Sequence, residues 1–122
     1  MKKLIVSIKS SSQTMAEFKK ALKEARKGGL RGEHFEISFD NKKDFDRFAR
    51  NLGVLSAILT HKPRSVYELS KLIDMDVSNL NKLIAFFESV GAVRVKTSQS
   101  AGRAVKTPIV EYEQVEFALK AA

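Results

Sequence analysis

The chain is 122 residues long, carries a formal net charge of +8 and is 43% hydrophobic, which suits one domain with a small appended unit. No apolar run reaches membrane-spanning length, and the run after Met1-Lys2-Lys3 is too short for a signal peptide. The absence of cysteine excludes a disulfide framework, a thiolate metal site and a thiol nucleophile, and with the missing leader it predicts a cytoplasmic protein.

Residues 3–9 alternate as a strand does, with Leu4, Val6 and Ile8 on one face and Ile5, Ser7 and Lys9 on the other. A polar loop follows at residues 10–13. Thr14-Met15-Ala16-Glu17 then has capping-box spacing, and Met15, Phe18, Leu22 and Ala25 form a helical stripe that Gly28-Gly29 stops. After a loop, residues 34–40 alternate again, with Phe35, Ile37 and Phe39 opposite His34, Glu36 and Ser38. Residues 1–40 therefore predict a strand-helix-strand unit. It is too small to stand alone, which makes it a candidate dimerisation or partner-binding element.

Asp40 or Asn41 caps the next helix. Its stripe of Phe45, Phe48, Leu52, Leu55 and Leu59 alternates spacings of three and four, a coiled-coil-like seam. Gly53 marks a bend or a break into two helices. The seam reads as a core helix of its own domain; the alternative is that part of it, with the N-terminal unit, forms a homodimer interface. Lys62-Pro63 ends the helix, because a residue before proline avoids α geometry.

Residues 65–96 read as helix, tight turn, helix, strand. Ser65 and Glu68 have capping-box spacing, and Leu69, Leu72 and Ile73 fall on one helical face. Asp74-Met75-Asp76 is the turn, and Asp76 is the N-cap of the second helix. Val77, Leu80, Leu83, Ile84, Phe87 and Val90 repeat at helical spacing, and Gly91 is the left-handed residue just past the end. Residues 92–96 alternate as a half-buried strand.

The face left over on the second helix carries Ser78, Asn79, Asn81, Lys82 and Ala85. Short, amide-bearing or cationic side chains let a helix approach the major groove of DNA, with Asn suited to adenine and Lys to guanine or phosphate. A helix-turn-helix presents its second helix in this way, N-terminal end first. Ser65 and Tyr67, at the start of the first helix, are candidate phosphate contacts.

The charge is segregated. Residues 92–107 contain Arg94, Lys96, Arg103 and Lys106 and no acid, whereas residues 111–116 contain three acids and no base. Thr97-Ser98-Gln99-Ser100-Ala101-Gly102-Arg103-Ala104 reads as a flexible basic loop. Residues 105–112 return as a strand that Pro108 marks as an edge or a bulge. A hairpin after a recognition helix is a wing. Its cations would lie along flanking phosphates or, for Arg103, in a minor groove. Residues 115–119 form a last strand.

The stretches SFDNKKDFDRF, SVYELSKLIDMDVSNLNKLIAFFESVGAVRV and GRAVKTPIVEYEQVEF together resemble the MarR-like winged-helix DNA-binding proteins of bacteria and archaea, including antitoxin-type regulators. The resemblance runs from Phe39 to about Leu119. Asp76 matches the aspartate that opens the family's recognition helix, Asn81-Lys82 its polar or basic pair, and Val90-Gly91 its helix end. Gly102-Arg103, Pro108 and Tyr112 match the basic loop, proline-containing strand and tyrosine. Members often carry arginine or lysine where this chain has Ser78 and Asn79, and many have a more basic wing. The resemblance implies duplex DNA binding, as a dimer.

Other chemistry finds little support. His34 and His61 are the only histidines, and neither has a second ligand at metal spacing. Glu111, Glu113 and Glu116 read as a solvated strand edge. Lys27-Gly28-Gly29-Leu30-Arg31-Gly32 lacks the ending of a phosphate loop and follows a helix instead of a strand.

The sequence thus predicts an α+β protein: a strand-helix-strand unit at residues 1–40 and a winged helix-turn-helix at residues 41–122. The expected function is a sequence-preferring, double-stranded DNA-binding regulator, a homodimeric repressor without cofactor, metal or enzymatic activity and without a membrane partner. The main rival is an antitoxin-type protein that neutralises a protein partner, a toxin, with DNA binding secondary. A basic RNA-binding protein or nuclease ranks third, since no aromatic platform for single strands is visible.

Overall fold

The structure, a computed structural model, describes residues 2–8 and 34–118. The helix expected at residues 14–25, its Gly28-Gly29 stop, Lys9, the phosphate-loop-like stretch and the tail from Leu119 lie outside the described residues. The protein is α+β, and it divides into two compact units, residues 1–49 with 112–122 and residues 50–111. The division expected at residue 40 therefore falls later, and the C-terminal strand goes with the N-terminal ones.

In the first unit, β1 (Lys3–Ile8), β2 (His34–Phe39) and β5 (Gln114–Ala118) form a sheet in the order β2-β1-β5. Both pairings are parallel, Leu4 standing beside Phe35 and Val115, and Val6 beside Ile37 and Phe117. A parallel pair cannot be closed by a short turn, unlike an antiparallel hairpin. Residues paired in register share a face, and Leu4, Val6, Ile37 and Phe39 are buried on theirs. The other face is mixed: beside Ile5 and Ala118, the Ser7 and Ser38 hydroxyls lie 3.2 Å apart, and Lys3 pairs with Glu116 at 3.6 Å.

Helix α1 (Lys42–Arg50) supplies aromatic rings to this unit. Asn41 is its cap: the Asp44 amide donates to Asn41 Oδ1 at 2.8 Å, and Asn41 Nδ2 donates to the Asp44 carboxylate at 3.2 Å. Phe48 is fully buried, its ring 5.8 Å from Phe39 and 6.2 Å from Phe117. Phe45 meets the same two rings edge-on. Such pairings add to simple area burial because the ring edges are positive and the faces negative.

The second unit opens with α2 (Leu52–His61). The stripe is divided into two helices, and the break expected at Gly53 falls at Asn51, whose φ of −112° and ψ of 22° are not helical. Gly53 is not the break; it lies inside α2. Because a break resets the helical phase, the seam does not continue: α2 buries Val54, Leu55 and Ile58, while Leu52 and Leu59 are half-buried. Lys62 closes α2 in the left-handed region at φ 47°, its amide donating to the Ile58 carbonyl.

Then come α3 (Val66–Leu72), α4 (Val77–Val90), β3 (Arg94–Ser100) and β4 (Arg103–Ile109). Leu69, Leu80, Leu83, Ile84 and Phe87 make the core with Val66, Ala92 and Val93. Of the expected stripes, Ile73 and Val90 are only half-buried, and two members are exposed. Leu72 is 51% exposed and Val77 38%, because they flank the interhelical turn, where each helix end leaves the core. The expected eight-residue loop is also absent. Residues 97–100 and 103–104 are paired strand, with Thr97 opposite Lys106 and Ser100 opposite Arg103. Only Ala101 and Gly102 turn, with φ of 52° and 77°, the double positive φ of a type I′ hairpin turn. Pro108 pairs with Val95 in an unbroken register, so it marks an edge strand and no bulge.

Gly53 has no positive φ, and a Cβ there would meet nothing within 4 Å. Gly53→Ala is therefore expected to stabilise the protein by about 0.5–1 kcal/mol, since it lowers only the entropy of the unfolded chain. Phe48→Ala should cost about 3–5 kcal/mol. Urea titration followed by circular dichroism checks both; a destabilised Gly53→Ala protein would contradict the space seen there.

Candidate nucleic-acid interface

The candidate surface is built from the start of α3, the exposed face of α4 and the β3–β4 hairpin, all within the second unit. Ser65 caps α3, its Oγ accepting the Glu68 amide at 2.9 Å, so this hydroxyl is already engaged in holding the helix. Tyr67 is 61% exposed, and Lys71, one turn on, sets its ammonium 5.2 Å from the ring centroid. One carbonyl contact and one left-handed residue shape the turn that follows. The Met75 amide donates to the Ser70 carbonyl at 3.0 Å, and Asp74 takes φ 53°. Asp76 then caps α4, its Oδ2 accepting the Asn79 amide at 3.0 Å.

Successive residues of an α-helix are about 100° apart around its axis. Ser78, Lys82, Ala85 and Ser89 thus share one line, all four exposed, opposite buried Leu80, Leu83 and Phe87. Asn81 lies to one side of this line, beside Val77 and Glu88. Asn79 lies to the other side. The two asparagines are about 160° apart around the axis, so they flank the line instead of sharing it. Ser78 and Lys82 are the residues of the expected reading set that the structure puts at its centre.

The helix ends in a Schellman motif. Gly91 sits at φ 88°, its amide donating to Glu88, while the Ala92 amide donates to the Phe87 carbonyl at 2.9 Å. Buried Ala92 and Val93 then anchor the start of β3. Cross-strand partners share a face of an antiparallel ladder. Arg94, Lys96 and Arg103 therefore stand on one face, with Ile109, Thr107 and Ser100 as their partners. Lys106, opposite Thr97, stands on the other face and is separated from them. Lys96 and Arg103 are about 14 Å apart along the ladder, from four strand residues at about 3.4 Å each.

These cations differ in their engagement. Arg94 is ion-paired with Glu111. Among the described residues, Lys82, Lys96, Arg103 and Lys106 have no ion pair. The hairpin is tied to the loop before α3 by the Thr107 hydroxyl, which donates to the Arg64 carbonyl at 2.6 Å. Sequence reading does not pick out Arg64 or Lys71, both exposed. The signals for them are local: Arg64 precedes the Ser65 cap, and Lys71 follows Tyr67 by four residues.

Elsewhere the unit offers little chemistry. A cleft of about 220 Å³ between the end of α2 and β4 is lined by Ile58, Leu59, Pro63, Pro108 and Ile109, with Lys62 and Thr107 as its polar members. Among the described residues, no group of three His, Asp or Glu is placed to hold a metal ion, and no helix is long and apolar enough to cross a membrane.

A family profile matches residues 49–117, more than half of the chain. The chain belongs to the HVO_A0114 family. No curated protein and no solved structure matches it. The HVO_A0114 match takes in α2, α3, α4 and the hairpin, and with them every candidate contact residue from Ser65 to Lys106. It leaves β1 and β2 outside. The function of the HVO_A0114 family is not known, so the function of the surface must be argued from the surface itself.

Because Asp76 holds the first turn of α4 through one side-chain hydrogen bond, Asp76→Ala is expected to cost about 1 kcal/mol, and Asp76→Asn much less. Thermal unfolding of the two variants checks this; equal losses would show that the carboxylate charge, and not the cap geometry, is what matters.

Proposed function

We propose that the protein binds double-stranded DNA and acts as a sequence-preferring transcriptional regulator, a dimeric repressor whose winged helix-turn-helix consists of α3, α4 and the β3–β4 hairpin. The observation that carries this reading is the exposed line of α4. It is made of short side chains and one cation, Ser78, Lys82, Ala85 and Ser89, with an asparagine on each flank. A helix so lined can approach base edges closely, whereas acidic side chains along the line would be repelled by the phosphates.

In this reading α4 lies in the major groove. Lys82 reaches guanine or phosphate, Ser78 donates to phosphate or base, and Asn81 or Asn79 addresses adenine. Lys96 and Arg103, on one hairpin face, hold flanking phosphates. Lys106 on the opposite face is not part of that contact. Tyr67, Lys71 and Arg64 extend the phosphate-binding strip at the first helix, and Ser65 acts there only through its cap. The MarR-like resemblance agrees with this assignment. Repression would follow from occupying a promoter, and the chemistry requires no cofactor or catalytic group.

A second reading has one observation in its favour. In the first unit Phe35 is 50% exposed on edge strand β2, its ring 6.3 Å from that of Tyr112. An exposed apolar residue on a strand that has no outer partner among the described residues suits a protein partner, as the antitoxin-type reading requires. Co-purification with the product of the neighbouring gene would give that reading first place.

The regulator reading is tested by fluorescence anisotropy with a duplex from the gene's own upstream region and a scrambled duplex, over a salt series. Tighter binding to the upstream duplex is expected. Asn81→Ala should remove about 1–3 kcal/mol of that preference. Lys82→Ala and Arg103→Ala should each weaken binding, and a lost phosphate contact should lower the log–log salt slope by about 0.9. Weak, equal binding to both duplexes, unaltered by Asn81→Ala, would overturn it.

A further inference from the structure

Three cations share one face of the hairpin, but they are not equivalent. Lys96 and Arg103 have no ion pair among the described residues, whereas Arg94 is already held by the Glu111 carboxylate. Arg94 is the first residue of β3 and stands opposite Ile109; Glu111 follows Ile109 by two residues. The acid therefore sits at the base of the hairpin, on the chain leaving β4. The two partners are unequally exposed. The Arg94 side chain is 70% exposed and that of Glu111 only 31%, so the guanidinium is the partner that can swing to a ligand while the carboxylate stays.

We infer that Glu111 is an affinity-setting residue: its carboxylate occupies Arg94 in place of a DNA phosphate and so withholds one cation from the hairpin's phosphate-binding face. This rests on the DNA-binding reading above. A guanidinium presents the same planar fork to a carboxylate and to a phosphate, so the two compete for one site. A solvent-exposed ion pair is weak enough to be exchanged. The exchange gains little, however. It releases few counterions, because Arg94 is already neutralised. The wild-type hairpin therefore binds duplexes through Lys96 and Arg103, with Arg94 contributing almost nothing. A substitution that removes the Glu111 charge recruits it.

The test uses the full chain and a 24-base-pair duplex from the upstream region, with Glu111→Gln, Arg94→Ala, the double variant, and Glu113→Gln as a control for net charge. Far-ultraviolet circular dichroism confirms that each is folded; Glu111→Gln keeps the shape of the side chain. Glu111→Gln is expected to bind about fivefold more tightly at low salt and to steepen the log–log salt slope by about 0.9. Arg94→Ala should change wild-type affinity less than twofold but abolish the gain in the Glu111→Gln background, and Glu113→Gln should change little. An unchanged affinity in Glu111→Gln, or a gain that survives Arg94→Ala, overturns the inference. If neither wild type nor Glu111→Gln binds any duplex at low salt, the DNA-binding reading falls with it.

Discussion

The two ends of α4 determine what the second unit can present. At one end the Asp76 carboxylate takes the Asn79 amide; at the other the chain reverses at Gly91, and Ala92 returns its amide to Phe87. Between these fixed points the helix has no freedom of register. Leu80, Leu83, Ile84 and Phe87 are committed to the core, so Ser78, Lys82, Ala85 and Ser89 are committed to solvent. The C-terminal reversal also places the hairpin. Only a residue that tolerates φ 88° can make it, and glycine does so without the penalty a Cβ would carry. Two buried residues later β3 begins. Both parts of the candidate surface thus hang from one capped helix.

The hairpin is stiffer than a loop, and this changes its use. Seven residue pairs run without a bulge to a two-residue turn, so Arg103 stands at a defined distance from Lys96. A flexible basic loop would gain affinity by sampling many phosphates. A paired ladder instead offers cations at fixed spacing and on a fixed face, and it excludes Lys106 from that face. Thr107 adds a tether to the carbonyl of Arg64, next to the cap of α3. On the proposed reading, such an arrangement would favour register on a duplex over general stickiness, which is what phosphate contacts contribute to a sequence-reading protein.

What was legible in the sequence was local. The caps at Asn41, Ser65 and Asp76, the Gly91 stop and the proline after Lys62 each depend on residues within one helical turn, and the corresponding element ends are where these signals put them. Burial was less legible at helix ends. Leu72 and Val77 have the right period but sit where the helices leave the core. Along the seam from Phe45 to Leu59 the glycine signalled an interruption, but periodicity alone could not place it at Asn51 instead of Gly53. The Ala101-Gly102 turn was missed because alanine is an unusual residue at positive φ, and the polar strand ends around it have no apolar alternation to betray them. The pairing of β5 with β1 joins residues more than a hundred positions apart, and no local signal carries it. The candidate site followed the same rule: the α4 face was readable, but the separation of Asn79 from Asn81, the exclusion of Lys106 and the capture of Arg94 by Glu111 required the three-dimensional register.

The central claim is that α4 and one face of the hairpin together form a duplex-binding surface. Amide chemical-shift mapping by nuclear magnetic resonance, with the upstream duplex added stepwise, tests it most directly. The account predicts that the largest shifts fall at Ser78, Lys82 and Ala85 on α4 and at Lys96 and Arg103 on the hairpin, with β1, β2 and β5 little changed. Shifts confined to the β2 edge around Phe35, or spread evenly over every exposed lysine and arginine, would contradict it.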